Sequence, residues 1–287
     1  MIFKSYFIFG SGFGIYGYLP ALIKLKKKVY LLRKYKKNIL KKKTLIKYIR
    51  NINFINKIDY NNIDAIIFAK RPKDQFNFVK KIKKKLFLYL EKPLAENPKK
   101  SIKLIEIIKK KKLKFSIGYL FFFTIWFKKI FFLKNETCIT WNFKSKTFFS
   151  NNWKGINSKG GGIISFYGIH FISIFSYLNY RCIFSSIIKS NDKKETEWNA
   201  VFKKNKLKIN LKINIKSKEN FIIKTSERLI YKSDTPFGKI SINSNNEDFR
   251  IKFLKSYLKN LNLLTQKEHI RTIKLWKDVM KITTFTN

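Results

Sequence analysis

Short apolar runs alternate with helical stretches from Ile2 to Ile117, and few folds admit that alternation. Ile2–Phe9 reads as a buried strand that flows straight into glycine. Leu19–Leu25 reads as a short helix, Val29–Leu32 as a second strand, and Asn38–Ile52 as a helix with a heavily basic face. Ile63–Phe68 is a further strand, ended by the pattern-breaking Arg71-Pro72 dipeptide. Asp74 is placed to cap a helix through Lys85, and Leu86–Leu90 is the next apolar strand. A helix over Ser101–Lys111 leads to a strand at Lys114–Ile117. Strands alternating with helices imply right-handed βαβ units and a parallel sheet.

The character changes after Gly118-Tyr119. Glu136–Phe143, Lys206–Ile215, Asn220–Lys224 and Lys239–Ile242 alternate with a period of two and read as strands. Gly160–Tyr180 reads as a loop running into a buried helix. Asn246-Glu247-Asp248 offers cap and dipole chemistry to a helix with Ile251, Leu254, Leu258 and Leu261 on one face, and a last helix covers Lys267–Ile282. A chain of 287 residues accommodates two domains, expected here at 1–119 and 120–287. The fold class that follows is α/β: an amino-terminal parallel sheet of Rossmann type, then an α+β domain on an open, mostly antiparallel sheet.

The formal charge of +46 invites a nucleic-acid reading that the residue choice argues against. Only seven of the 63 basic residues are Arg, and the lysines are scattered from end to end among Ile, Asn, Phe and Tyr, all with AT-rich codons. Nucleic-acid binders concentrate charge on one face and favour Arg, so no specific nucleic-acid partner is expected. The charge still attracts polyanions and phosphorylated substrates. Ser5–Ile23 and Gly160–Tyr180 are uncharged and long, but the first holds four glycines and Pro20, and the second opens on three glycines and carries His170 and several serines. Neither reads as a membrane span. Cys138 and Cys182 read as two reduced thiols of a cytoplasmic protein, and His170 and His269 are too far apart in sequence to suggest a metal cluster.

Three stretches carry chemistry. The first is Gly10-Ser11-Gly12-Phe13-Gly14-Ile15-Tyr16-Gly17, which follows a strand and precedes a helix. Glycine there permits tight backbone approach, and the helix amino end near Gly14 faces a pyrophosphate. Gly12, Gly14 and Gly17 form one literal G-x-G-x-x-G register; Gly10 and Gly12, with Ile15 in the third place, form the other. The second is Glu91-Lys92-Pro93-Leu94-Ala95, where a strand end releases a lysine into the crevice in which open α/β sheets bind ligands. The third is Gly160-Gly161-Gly162, followed by Gly168 and His170.

With Pro20-Ala21-Leu22 behind the glycine turn, these three stretches together resemble the glucose-fructose oxidoreductase / inositol dehydrogenase (Gfo/Idh/MocA) family of nicotinamide-dependent sugar oxidoreductases. The resemblance covers most of the chain, best in 1–125 and 153–180. It implies hydride transfer between NAD or NADP and a hydroxyl or keto carbon of a sugar or sugar nucleotide. It assigns Gly10, Gly12, Phe13, Gly14, Ile15, Glu91 and Lys92 to the cofactor, with Lys92 also on the reacting sugar oxygen and His170 as general acid/base. Tyr119 and Tyr167 become substrate contacts, no metal is implied, and a homo-oligomer through the second sheet is expected. Arg33 and Lys34 stand where NAD-preferring enzymes carry an acid, which favours the 2′-phosphate of NADP. Two departures matter. The family's Asp four residues after the glycines is Phe166, and Leu120-Phe121-Phe122-Phe123 replaces polar residues after Gly118-Tyr119. They open an alternative, a degenerate member that binds cofactor or sugar without turnover. A polyanion-binding protein rests on charge alone.

Overall fold

The computed structural model describes residues 3–133, 135–145, 152–239, 247–260 and 263–286. The chain divides into two compact units, one built from Met1–Leu94, Lys103–Gly118 and Ser241–Leu264, the other from Ala95–Ile102, Tyr119–Ile240 and Thr265–Asn287.

The first unit is the expected parallel sheet. Its strands are β1 (Ser5–Phe9), β2 (Lys28–Leu32), β3 (Ile52–Ile55), β4 (Ala65–Phe68), β5 (Phe87–Leu90) and β6 (Lys114–Ile117), in the order β3-β2-β1-β4-β5-β6. Every adjacent pair is parallel. This is the doubly wound order, in which ligands bind outside the carboxyl ends of the strands where the order reverses, between β1 and β4. Strands covered on both faces read as unbroken apolar runs, and all four residues of β4 are buried.

Two helices differ from expectation. The stretch expected as one helix over Asn38–Ile52 is α2 (Lys36–Leu40), α3 (Lys43–Ile46), a short turn at Ile49–Asn51 and then β3. Only Ile39, Leu45 and Tyr48 of this stretch turn inward before Ile52 pairs with Val29, and a four-residue edge strand is too short to display its period. Helix α4 is Pro72–Lys81, not a helix from Asp74 to Lys85. Proline with its fixed φ begins the helix, and Asp74 in the first turn accepts from Arg71 Nε at 3.1 Å instead of capping. Helix α1 (Leu19–Lys24) continues a widened turn over Gly14–Tyr18, and α5 is Pro98–Lys110.

The second unit is built on a seven-stranded sheet. Its members are β7 (Thr137–Lys144), β8 (Arg181–Lys189), β9 (Glu195–Lys204), β10 (Leu207–Asn214), β11 (Lys216–Thr225), β12 (Leu229–Ser233) and β13 (Thr283–Thr286), ordered β12-β11-β7-β10-β9-β8-β13. The β7–β10 and β8–β13 pairs are parallel and the other four antiparallel, as the mostly antiparallel expectation requires. Ile139, Trp198, Phe202, Leu211, Phe221 and Ile223 are buried on the sheet's apolar side. Helices α6 (Ile125–Phe131) and α7 (Ile169–Tyr177) follow the changes of pattern at Thr124 and Gly168, and α7 is buried along nearly its whole length. The expected strand at Lys239–Ile242 lies outside the described residues from 240 onward, as do Asn246 and Leu261.

The chain returns to the first unit with α8 (Ile251–Lys259), and Glu247 and Asp248 do not cap it. Glu247 accepts from Lys24 and from Tyr48 Oη, each at 2.5 Å, and pairs with Lys47. Burial alone would raise this carboxyl, but those hydrogen bonds and the Lys24 charge hold it at about 2. Helix α9 (Gln266–Ile282) opens with a capping box between Thr265 and Glu268 and packs on α7 and β8. No described helix is long and apolar enough to cross a membrane.

Acid should therefore loosen the protein in two stages. His269 on α9 is buried, and that burial pushes its imidazole down to about 3 from 6.5. Both folded values lie below the unfolded ones, so the unfolded chain takes up protons first and stability falls with pH. His269 contributes as pH drops below about 6.5 and Glu247 only below about 4.5. Thermal melting from pH 7 to 4 should show the first decline, and His269→Leu should flatten it above pH 4.5. An unchanged decline in that variant would remove His269 as its source.

Candidate functional site

In the first unit the glycine turn sits where β1 ends, and backbone geometry dictates its residues. Gly10 has φ +127°, and a side-chain carbon there would lie 2.1 Å from the Ala69 carbonyl oxygen at the end of β4. Gly14 is packed almost as closely, with Ile8 Cγ2 2.9 Å from such a carbon. Gly12 is different: a side-chain carbon there would meet nothing within 4 Å. Two glycines thus close the turn on the sheet, while the one between them leaves its backbone open to a ligand. Gly14 takes the close-packing role expected at the buried Ile15, one position earlier. Gly17 belongs to the inside, because its missing side chain makes room for the Phe13 ring. The Ile15 N–H donates to the Gly12 carbonyl at 2.8 Å, starting the helical turn that aims its amino end at Gly12.

Arg33 and Lys34 lie on a short turn after β2, both exposed. Tyr35 beside them is buried and hydrogen-bonded to the Gly10 backbone, so the basic pair is anchored to the glycine turn.

At the end of β5, Glu91 and Lys92 are half-buried and the Lys92–Pro93 bond is cis. A residue outside the expected set holds this turn. Gln75 of α4, 1% exposed, donates from Nε2 to the carbonyls of Glu91 at 3.0 Å and Leu94 at 2.8 Å. Its Oε1 accepts from the Glu91 N–H at 2.8 Å. Tyr18 donates to the Glu91 carboxylate at 2.6 Å, and Gly118 leaves the room that pair needs. Burial raises the Glu91 carboxyl above its ordinary value, opposed by the Tyr18 hydrogen bond and by the charges of Lys92 and Arg250. Neither Gln75 nor Tyr18 carries a local signal, since their partners lie 16 and 73 residues away.

In the second unit the three glycines wrap a preceding turn. A side-chain carbon on Gly161 would fall 2.2 Å from the Trp153 carbonyl, and Gly162 has φ +86° and donates to the Lys154 carbonyl. The segment lacks its own carboxylate, yet one reaches it from β9: buried Glu195 accepts from the Ile163 N–H at 2.6 Å and from Asn157 at 2.5 Å. His170 follows on α7, 6% exposed, its imidazole stacked on Phe121 at 4.5 Å and edge-on to Tyr119 at 6.5 Å. Phe121 thus serves as the floor under the imidazole, in the stretch where the resemblance places polar residues. Tyr119 is buried, with His269 at 6.0 Å on another side. Tyr167 is half-buried and its hydroxyl is within 2.9 Å of Ser145 Oγ. Phe166 packs on Trp153 and beneath the Lys154 ammonium.

No protein-family model matches the sequence, and no curated protein matches it. Solved structures do match in fold. The WlbA (WbpB) dehydrogenase of Thermus thermophilus, in complex with NAD and UDP-GlcNAcA, superposes with a TM-score of 0.72 at 10% identity, over 99% of this chain and 96% of that one. The 3-ketoreductase KijD10 of Actinomadura kijaniata, in complex with NADP and TDP-benzene, gives 0.68 at 9% identity, over 98% of both chains. The dehydrogenase MviM of Clostridium difficile gives 0.65 at 15% identity, over 97% and 99%. The fold is that of the Gfo/Idh/MocA oxidoreductases. The open Gly12 backbone, with a helical amino end aimed at it, is chemistry that fits the pyrophosphate of a dinucleotide.

Gln75→Leu tests how far the Lys92 turn depends on one amide. It would leave two carbonyls and one N–H of the buried turn unpaired, a loss of about 3 kcal/mol. Urea unfolding measures it, and a loss within experimental error would mean that water or a shifted backbone replaces the amide.

Proposed function

We propose that this chain is a nicotinamide-dependent oxidoreductase of the Gfo/Idh/MocA type, with NADP preferred over NAD. Its substrate would be a hydroxyl or keto carbon of a sugar or sugar nucleotide. The observation that carries the reading is the glycine turn, closed on the sheet at Gly10 and Gly14 and open at Gly12, in one unit with Lys92 at a strand end. Sugar nucleotides enter because WlbA is in complex with UDP-GlcNAcA and because a field of +46 favours phosphorylated ligands.

The nicotinamide supplies or accepts the hydride; the chain's residues do the rest. The Gly12–Gly14 backbone and the helix amino end bind the pyrophosphate. Arg33 and Lys34 attract the 2′-phosphate from exposed positions on the turn that Tyr35 anchors. Lys92, protonated, stabilises negative charge on the reacting oxygen, and Glu91 keeps the turn in place. His170 exchanges the proton of the substrate hydroxyl, its ring packed on Phe121 and Tyr119. Tyr119 frames the imidazole from within the fold, and half-buried Tyr167 is offered to the substrate. The outward face of the second sheet, with Asn199, Asn214 and Lys212 bonded to Glu197, is the surface proposed for a homo-oligomer. The thiols of Cys138 and Cys182 are unpaired and suit the cytoplasm.

A second reading has one observation behind it: at Phe166 an aromatic ring stands where the family places Asp, and a chain that binds without turnover would look the same. Kinetics separate the two. Lys92→Ala should lower kcat/KM by about 10³-fold with little change in dinucleotide affinity, and His170→Ala by about tenfold, because Phe166 stands where the family's Asp would orient the imidazole. Wild-type inactivity across sugars and sugar nucleotides, with dinucleotide still bound, would favour the binder. NADPH should bind more tightly than NADH at moderate salt, and equal affinity would remove the role given to Arg33 and Lys34.

A further inference from the structure

Arg250 lies far from every motif in sequence, yet it rests on the glycine turn. Asp248 fixes it: Oδ1 accepts from Nε at 2.9 Å, Oδ2 from Nη2 at 2.7 Å, and Oδ1 also from the Arg250 backbone N–H at 2.9 Å. So held, the guanidinium carbon lies 4.2 Å from the centre of the Phe13 ring and 5.9 Å from that of Tyr16. Phe13 is the residue next to Gly12, the open position of the turn. The charge of Arg250 also acts, with that of Lys92, on the Glu91 carboxyl of the same unit. The half-buried guanidinium, held by Asp248, therefore lies against the glycine turn.

A purely structural role would be to pin the returning segment, but that is already achieved. Glu247 bonds Lys24, Lys47 and Tyr48, and Ile251, Leu254 and Leu258 are buried along α8. A guanidinium carries five N–H groups in a planar fork; Asp248 engages two of its nitrogens and the Tyr16 hydroxyl takes a further hydrogen bond, which leaves N–H groups for another acceptor. Stacked on an aromatic face and oriented by a carboxylate, such a fork is prepared for a second, planar or phosphate anion. Lys42, whose ammonium lies 5.0 Å from the centre of the Tyr16 ring, adds positive charge at the same turn.

We propose that Arg250 is a cofactor-binding residue, donating to the pyrophosphate of a dinucleotide held at Gly12–Gly14, with Phe13 and Tyr16 as its platform. The inference rests on the dinucleotide reading above and adds a division of labour to it. The pyrophosphate is common to NAD and NADP, so Arg250 sets affinity for both alike, whereas Arg33 and Lys34 set the preference between them.

Fluorescence titration of NADH and NADPH into the wild type and into Arg250→Met, which keeps an apolar stem over Phe13, tests this. Both affinities should fall about tenfold or more, with their ratio constant within about twofold, and competition by ADP-ribose should weaken by the same factor. Competition by 2′-AMP, which lacks the pyrophosphate, should not change. If the wild type binds both cofactors and the variant binds them equally well, or loses NADPH alone, the assignment is wrong. If the wild type binds neither, the dinucleotide reading falls and this inference with it. Should Arg250→Met fail to fold, phenylglyoxal labelling of the wild type decides: ADP-ribose should slow modification of Arg250 and adenosine should not, and equal labelling with both would overturn the proposal.

Discussion

The amide of Gln75 ties the end of β5 to α4, and the placement of Lys92 depends on it. Parallel strands end with backbone groups that no neighbouring strand completes, and here the end is buried, so those groups must find partners within the protein. Gln75 supplies both donor and acceptor, and Tyr18 fixes the Glu91 side chain from α1's side of the turn. At the neighbouring strand ends the same problem is met by removing side chains. Gly10 lets the turn after β1 lie against Ala69 after β4, which no other residue would permit. A lysine and an open backbone turn are thereby held at the carboxyl edge of one sheet with little freedom to drift.

The charge balance explains why so few residues carry so much of this order. With 63 basic residues and 17 acidic ones, a carboxylate can be spent on a structural joint and the field stays positive. Glu195 closes the triple-glycine loop, Glu197 gathers Asn199, Asn214 and Lys212 on the second sheet, Glu247 holds the returning segment and Asp248 aims Arg250. Each is a charge-assisted contact of limited exposure, where such bonds count for more than surface pairs. The many lysines around them are largely solvated and set the field without fixing the fold.

Much of the first unit was legible in the sequence because buried parallel strands are written as apolar runs. β6 matches its expected span, and β1, β4 and β5 fall within theirs. β3 was not legible, being four residues long at a sheet edge. β8 and β9 escaped because their alternation is broken in the opening residues: in β8 the apolar Ile183 and Phe184 are both exposed, and β9 opens on the buried polar Glu195, Thr196 and Glu197. The glycine turn and Lys92 stand out in the sequence because their pattern is local. Gln75, Glu195 and Arg250 could not, since each acts on a partner far along the chain and is of a type that is ordinarily solvated. Phe121 is a core residue whose ring is also what the His170 imidazole stacks on, a contact between positions 49 residues apart that no local pattern announces.

The central claim is that the turn from Gly10 to Gly14 and the strand end at Lys92 belong to one dinucleotide site. A crystal structure of the protein grown with NADPH tests it most directly. The account predicts the pyrophosphate on the Gly12–Gly14 backbone and the nicotinamide beside Lys92. A dinucleotide bound elsewhere, with the Gly12 backbone in contact only with solvent, would contradict it.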